Sequence, residues 1–281
     1  MMDRSSICSI GFLLAIPHEL LTIVLHFSDT SSIFSLSRTS KTYTKHKIIK
    51  SYFIEHQHHI ENIHLNAISN GHTNLFKWLI SNKEVASITN AFYINKASEK
   101  GRLEILQYLL ENGFSLNDDD ATCMRLAAEG GYQEILKYLH ENGCKWSIFA
   151  CEYAAGNGHL ESLKYLHENK CPWDSMACYR ATCGGHLEIL KYLHDNKCDW
   201  DDWSCSEAAK NGHLEILKYL HENGWFWDKY VCSYSVMNGH LETLKYLHEN
   251  ECPCDVDDCI RIAIQHGHDE ILKYLYENVR V

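Results

Sequence analysis

Histidine and cysteine are the residues of this chain that could do chemistry. Its 281 residues include 19 His and 13 Cys. Imidazole and thiolate groups are common ligands of Zn²⁺, and a Cys activated by a nearby His is a common nucleophile. Either kind of site requires its residues to converge at one place in the fold. The spacing of these residues along the chain therefore decides whether such a site is expected.

The cysteines fall at fixed distances from a series of glycines. One group lies thirteen residues after a glycine and another lies seven residues before one: Cys144, Cys171, Cys198 and Cys252, then Cys151, Cys178, Cys205 and Cys232. Packed helices keep their axes about 8–10 Å apart, whereas the ligands of one zinc ion lie roughly 4 Å apart. The cysteines could be metal ligands, disulfides or buried free thiols, and this register favours buried free thiols. Reduced thiols in turn indicate a protein of the cytosol or nucleus.

The histidines keep the same register. One group follows the glycines directly, where a ring nitrogen can bond the loop backbone, and a second group lies near the ends of helices: His159, His186, His213 and His240, then His140, His167, His194, His221 and His248. A general base needs a nucleophile and an orienting partner at one unique place. No Gly-rich phosphate loop or acid pair is identifiable either. The sequence therefore predicts a protein that is not an enzyme and holds no cofactor or metal.

Four tryptophans lie fifteen residues after the glycines: Trp146, Trp173, Trp200 and Trp227. Asp174, Asp201 and Asp228 follow three of them directly. We expect half-buried indoles that cover a short loop, with the Asp accepting hydrogen bonds from the first amides of the next helix. A row of binding residues is the alternative interpretation.

The glycines themselves define the elements that position these side chains. Successive members stand between twenty-seven and thirty positions apart: Gly71, Gly101, Gly131, Gly158, Gly185, Gly212, Gly239 and Gly267. A helix of about ten residues follows each glycine, with Leu160, Leu163 and Leu166 on one face in a typical copy. A shorter segment with small residues, such as Ala208 and Ala209, precedes it. Each unit is a helix, a turn and a helix.

One such unit cannot be stable alone. Its buried side chains, about eight in number at about 2 kcal/mol each, are opposed by the ordering of every residue of the unit, at about 1 kcal/mol or more per residue. Stacking lets each helix pair bury its second side against the next pair. The sequence therefore predicts an all-α solenoid of about eight units over residues 59–281.

The unit resembles the ankyrin repeat, whose pattern of small residues, Gly-His and Leu-Glu is matched by Cys205, Ala208, Ala209, Gly212 and His213. The resemblance covers the chain from position 59 to position 281. Family repeats have roughly 33 residues, and the stretch that is missing here falls between the second helix and the next first helix. The resemblance implies that the projecting hairpin is shortened to a loop. It also implies a non-catalytic scaffold that binds another protein.

Positions that differ between the copies are candidates for partner binding, because stacking does not fix them. They lie nine, six and five residues before the glycine, where the resemblance places the concave groove: Phe149, Tyr153, Met176, Tyr179, Arg180, Trp203, Glu207, Tyr230 and Tyr234. Exposed aromatic and Arg side chains often anchor interfaces. Neutral surface variation is the alternative.

The segment 1–58 does not follow the repeat. Residues 16–43 resemble an F-box, and the matching positions are Pro17, Glu19, Leu21, Val24, Phe27, Ile33 and Leu36. Tyr43 replaces the usual Trp and Ser32 replaces the usual acidic residue. The resemblance implies docking on the Skp-type adaptor of a cullin-RING ubiquitin ligase, with residues 59–281 holding the substrate. A helical cap on the first repeat is the alternative. The combination resembles proteins of large DNA viruses and amoebae.

Charge and hydropathy argue against two classes of partner, nucleic acid and membrane. The formal net charge is −11 and the pI is about 5.9. Basic residues alternate with Glu and form no stripe that could neutralise phosphates, so no nucleic acid is expected. No segment approaches the roughly 18 apolar residues that span a bilayer, so no membrane is expected. We expect a protein partner in the cytoplasm, or the host cytoplasm if the chain is viral, with the nucleus as a second location.

Overall fold

The computed structural model describes residues 57–81, 90–116, 121–200, 203–228 and 230–279. The chain divides into two compact units between Asn117 and Asp118. Every regular element of the described residues is a helix, which confirms the all-helical prediction. No helix in these ranges is long and apolar enough to cross a membrane. The F-box-like residues from Pro17 to Leu36, and Asp201 among the expected helix caps, lie outside the described residues.

The first unit, as far as it is described, contains four helices: α1 (Gln57–Asn70), α2 (Thr73–Ser81), α3 (Asn90–Glu99) and α4 (Leu103–Glu111). Helix α1 contacts α2 and α3, and α4 contacts α2 and α3. Phe76 and Tyr93 are buried between them, with ring centroids 5.5 Å apart. These two rings occupy the core of the first two helix pairs.

The second unit contains twelve helices in its described residues: α5 (Thr122–Glu129), α6 (Gln133–Glu141), α7 (Ile148–Gly156), α8 (Leu160–Glu168), α9 (Ser175–Gly184), α10 (Leu187–Asp195), α11 (Ser204–Lys210), α12 (Leu214–Glu222), α13 (Val231–Met237), α14 (Leu241–Glu249), α15 (Val256–His266) and α16 (Asp269–Asn278). We call the odd-numbered members first helices and the even-numbered members second helices. Consecutive first helices contact one another, and each contacts its own second helix. This arrangement is a stack of helix pairs.

The two kinds of helix bury different residues. First helices bury small side chains, such as Ala150, Cys151 and Ala154, so that neighbouring backbones can approach closely. Second helices bury leucines at helical spacing, such as Leu163 and Leu166, and expose a Glu in the first turn. The leucine face of each second helix therefore supplies the larger share of apolar burial in a pair.

The repeated glycine is required for two reasons. Gly212 has a φ of +70°, which L-residues rarely adopt. A Cβ at Gly212 would also lie 2.6 Å from Nδ1 of His240, which belongs to the next repeat. Gly158 has a φ of +83°, and a Cβ there would lie 2.8 Å from Cε1 of His186. The turn and the stacking of the next repeat both exclude a side chain at this position.

Candidate protein-binding surface

The histidines after the glycines join one repeat to the preceding repeat. Nε2 of His186 lies 3.1 Å from the carbonyl oxygen of Gly156, and Nε2 of His213 lies 3.1 Å from that of Cys183. The same bond recurs at three more positions, made by His159, His240 and His268. The accepting carbonyl is at the end of a first helix, where backbone acceptors lack helical partners. These imidazoles are therefore structural caps between repeats.

Arg102 takes the place of this histidine in the first unit. Its Nε donates to the carbonyl oxygen of Ile68 at 3.1 Å, and its Nη2 donates to that of Ser69 at 2.5 Å. A guanidinium can thus replace the imidazole, because both groups donate an N–H to a carbonyl oxygen at the end of the first helix of the preceding pair. The function of the position is to donate a hydrogen bond from one repeat to the preceding one.

The histidines of the second helices form a second series of contacts. Nδ1 of His167 lies 2.9 Å from Oη of Tyr192 in the next second helix, and the ring of His167 stacks on Trp173 with centroids 3.9 Å apart. We call the five His and Tyr pairs of this kind the second-helix ladder: His140 and Tyr165, His167 and Tyr192, His194 and Tyr219, His221 and Tyr246, His248 and Tyr274. The four repeat tryptophans are half-buried, as predicted.

The described cysteines are free thiols, and ten of the twelve are buried. Sγ of Cys123 lies 3.5 Å from Sγ of Cys144. A hydrogen bond with Cys171, followed by burial, raises the pKa of Cys151, and a hydrogen bond with Cys232 raises the pKa of Cys254 to about 12. A thiol nucleophile needs a lowered pKa. The thiols of Cys151 and Cys254 have the opposite shift, and the buried thiols serve packing.

Metal binding receives no support from the same residues. Within the described ranges, no three or more His, Cys, Asp or Glu side chains are grouped so that they could hold a metal ion. The thiols of one repeat contact each other, and the imidazoles contact backbone or Tyr hydroxyl groups. The imidazoles in repeat register therefore make structural contacts that recur from repeat to repeat.

The predicted binding residues five and six positions before the glycine contact one another between repeats. Nε of Arg180 lies 3.0 Å from Oε2 of Glu152, a buried carboxylate, and its guanidinium lies 4.6 Å from the ring centroid of Tyr153. Sγ of Cys183 lies 3.8 Å from Oε2 of Glu207 in the next repeat, and burial, followed by a hydrogen bond with Cys183, raises the pKa of Tyr179 to about 12. Tyr234 is half-buried. These positions connect neighbouring first helices.

The residues nine positions before the glycine are exposed. The exposed fractions are 51% for Phe149, 37% for Met176, 59% for Trp203 and 49% for Tyr230. They occupy equivalent positions at the start of four consecutive first helices, so they form a row along the stack. We call these four residues the anchor row. Of the residues predicted to bind a partner, these four offer the most apolar surface to a protein.

Two aspartates fix the backbone beside the anchor row. Oδ1 of Asp174 accepts from the backbone N–H of Met176 at 3.0 Å, and Oδ1 of Asp228 accepts from that of Tyr230 at 2.8 Å. The Asp174 bond confirms the predicted capping by aspartate, because Asp174 is the N-cap of α9, whereas Asp228 bonds Tyr230, the residue directly before α13. Asp255 caps α15 through the backbone N–H of Asp258 at 3.0 Å. Each carboxylate is held at the start of a first helix.

A comparison with protein-family models agrees with this architecture. The family model described as "Ankyrin repeats (3 copies)" matches residues 63–150, 151–225 and 205–281. Among solved structures, the crystal structure of the human ASB11 ankyrin repeat domain is similar, with 21% identity, a TM-score of 0.48 and coverage of 57% of this chain and 83% of that one. A comparison with curated proteins gives no match. Since the family model matches most of the chain, this protein belongs to the ankyrin repeat family.

Proposed function

We propose that the protein is a non-catalytic interaction scaffold that binds another protein through the anchor row. Ankyrin repeats are typically scaffolds for protein–protein interaction, and no enzyme family is indicated. The observation that carries the proposal is the exposure of four large apolar side chains at one register position, while the polar residues around them connect the repeats. The anchor row therefore offers a partner an apolar contact surface.

The types of residue in the row support this function. Trp and Tyr are enriched among the residues that dominate binding energy at interfaces, and each such anchor is worth about 2 kcal/mol or more when truncated. The anchor position holds a different residue in each of the four copies: Phe149, Met176, Trp203 and Tyr230. The buried leucines of the second helices keep their type. A row of different apolar side chains on otherwise similar repeats presents a surface that is specific for one partner.

Affinity capture followed by quantitative mass spectrometry tests the proposal. The variant Met176→Ala, Trp203→Ala, Tyr230→Ala removes three anchors, and the control variant Glu161→Gln, Glu188→Gln, Glu215→Gln changes three exposed second-helix residues. We expect the wild type and the control to capture the same partner proteins in equal amounts. The amounts captured by the anchor variant should be lower by tenfold or more. Identical captured sets from all three proteins, each folded by circular dichroism, would contradict the proposal.

A second candidate function is that of a substrate adaptor for a Skp and cullin ubiquitin ligase. The supporting observation is the F-box-like sequence at Pro17, Leu21, Val24 and Phe27. A purified Skp-type adaptor should then bind the full chain directly, and Pro17→Asp with Leu21→Asp should abolish that binding. If the adaptor does not bind the folded wild type, the adaptor function is rejected, and the alternative that the segment 1–58 caps the first repeat is favoured.

The cytoplasm is the location that we propose for this scaffold. The twelve described free thiols support it, because thiols stay reduced in the cytosol and nucleus. Imaging of a fluorescent fusion tests the proposal, and secretion into the medium would contradict it.

A further inference from the structure

The anchor row is bordered by carboxylates at a matching register. Asp174, Asp228 and Asp255 each lie sixteen residues after a turn glycine and at the start of a first helix, and we call them the acidic edge. Asp174 and Asp228 precede the anchors Met176 and Tyr230 by two residues, and their bonds to those residues fix each carboxylate beside its anchor. An apolar anchor and an anion therefore stand side by side in two repeats.

The acidic edge carries charge that is not neutralised by the described residues. Glu188, Glu215 and Glu242 form ion pairs with the Lys three residues later on the second helices. Among the described residues, none of the three acidic-edge carboxylates forms an ion pair with Lys or Arg. The second unit has 28 acidic and 15 basic residues, whereas residues 1–117 have 9 and 11. The excess negative charge of the protein is thus concentrated in the unit that carries the anchor row.

The spacing of the repeats restricts the shape of an occupant. Packed helices lie about 8–10 Å apart. An extended polyproline II segment rises about 3.1 Å per residue and has three residues per turn. Three residues of such a segment therefore advance by about one repeat, and every third side chain points in the same direction. Residues spaced by three or six positions would meet successive acidic-edge carboxylates.

We infer that the anchor row and the acidic edge together bind an extended, basic segment of the partner protein. The segment carries Lys or Arg at positions spaced by multiples of three, which pair with Asp174, Asp228 and Asp255, and apolar residues between them that contact the anchors. This inference rests on the proposed function and adds the chemistry of the partner. Opposite charges across the interface provide selectivity and faster association more than affinity.

Fluorescence anisotropy with synthetic peptides tests the inference. The probe is a labelled peptide with five copies of Arg-Leu-Pro, and the comparison peptides are one of the same composition with its arginines consecutive and one with Glu in place of Arg. The variant Asp174→Asn, Asp228→Asn removes two carboxylates, and Glu188→Gln, Glu215→Gln makes the same charge change on the second helices. We expect the Arg-Leu-Pro probe to bind best, to weaken with salt, and to lose about tenfold in affinity for the aspartate variant alone.

Two other outcomes separate this inference from the proposed function. If the probe binds both charge variants equally, or binds no better than the Glu peptide, the inference is overturned. Proteins captured through the anchor row should also be lost by the aspartate variant. If the anchor variant loses them while Asp174→Asn, Asp228→Asn keeps them, the scaffold function stands and the basic partner is rejected.

Discussion

The anchor row and the second-helix ladder repeat with the same period, that of the turn glycines, but differ in their surroundings. In the ladder, His194 keeps its type from copy to copy and lies 2.6 Å from Oη of Tyr219 in the next repeat. In the row, Trp203 stands where other copies have Phe149 or Met176, and more than half of its surface is exposed. A side chain that must fit two neighbours is fixed in type, whereas an exposed one is free to vary. Variation between the copies therefore supports a proposed binding surface only where exposure accompanies it.

The inter-repeat contacts between first helices show why exposure is needed as a criterion. Glu152 and Arg180 also stand at positions that vary between copies, yet they form an ion pair across two repeats. Tyr153 lies between Arg125 and Arg180, with ring centroid distances of 5.0 and 4.6 Å. Such a contact restricts both of its residues, because each must suit the residue that it contacts in the adjacent repeat.

Replacing a turn glycine should have the largest effect on stability. Gly212→Ala combines a left-handed backbone, costing about 1–2 kcal/mol, with overpacking against His240, costing about 1–3 kcal/mol. Gly224→Ala is the matched control, because Gly224 has a φ of +84° but nothing within 4 Å of an added Cβ. Urea denaturation followed by circular dichroism should show the smaller loss for Gly224→Ala. Equal losses would mean that His240 does not constrain the turn.

Breaking the contact between Glu152 and Arg180 should have the next largest effect. Arg180→Ala leaves a buried carboxylate without its partner and should cost about 1–3 kcal/mol, discounted because Arg180 is partly exposed. Trp203→Ala in the anchor row should cost less than about 1 kcal/mol. The double variant Glu152→Ala, Arg180→Ala should recover part of the loss. If Trp203→Ala is the more destabilising change, the distinction between the two sets of positions is wrong.

High pH should weaken the second-helix ladder. Burial, followed by the nearby Asp195 carboxylate, raises the pKa of Tyr219, and burial raises the pKa of Tyr192 and Tyr246 in the same way. A raised folded-state pKa means that the stabilisation is full below the unfolded value of about 10 and is lost as the pH rises through the folded value. Urea midpoints of the wild type should therefore fall above a pH of about 10. Tyr219→Phe, Tyr246→Phe should flatten this decline, and an unchanged decline would assign it to the thiols or to the paired lysines, whose pKa values are also raised.

The smallest expected effect is a gain in stability at the ends of second helices. Lys197 has a φ of +59° at the position where other copies have Gly143 or Gly224. Lys197→Gly relieves a strain of about 1–2 kcal/mol at an entropic cost of about 0.5–1 kcal/mol, so a gain of about 0.5–1 kcal/mol is expected. Thermal unfolding measures it, with Lys191→Gly inside α10 as a control that should destabilise. A loss on Lys197→Gly would show that its side chain stabilises the loop.

The sequence alone predicted the elements and their repetition. Glycine at a fixed step, leucines at helical spacing and small residues before each turn are local signals, because backbone conformation and the apolar face of a helix depend on near neighbours. Burial of Cys151 and Cys205, the half-buried Trp173 and capping by Asp174 followed from the same register. These predictions are confirmed because each depends on one repeat unit.

Only the tertiary structure decided which repeat each side chain contacts. A histidine after a glycine has the same spacing whether it bonds its own loop or the preceding helix, and the structure shows that His186 bonds Gly156. Glu152 and Arg180 likewise belong to different repeats, and nothing local indicates that they meet. The reason is that the order of residues fixes the period of the stack, while the offset between neighbouring helices is set by how their side chains pack together.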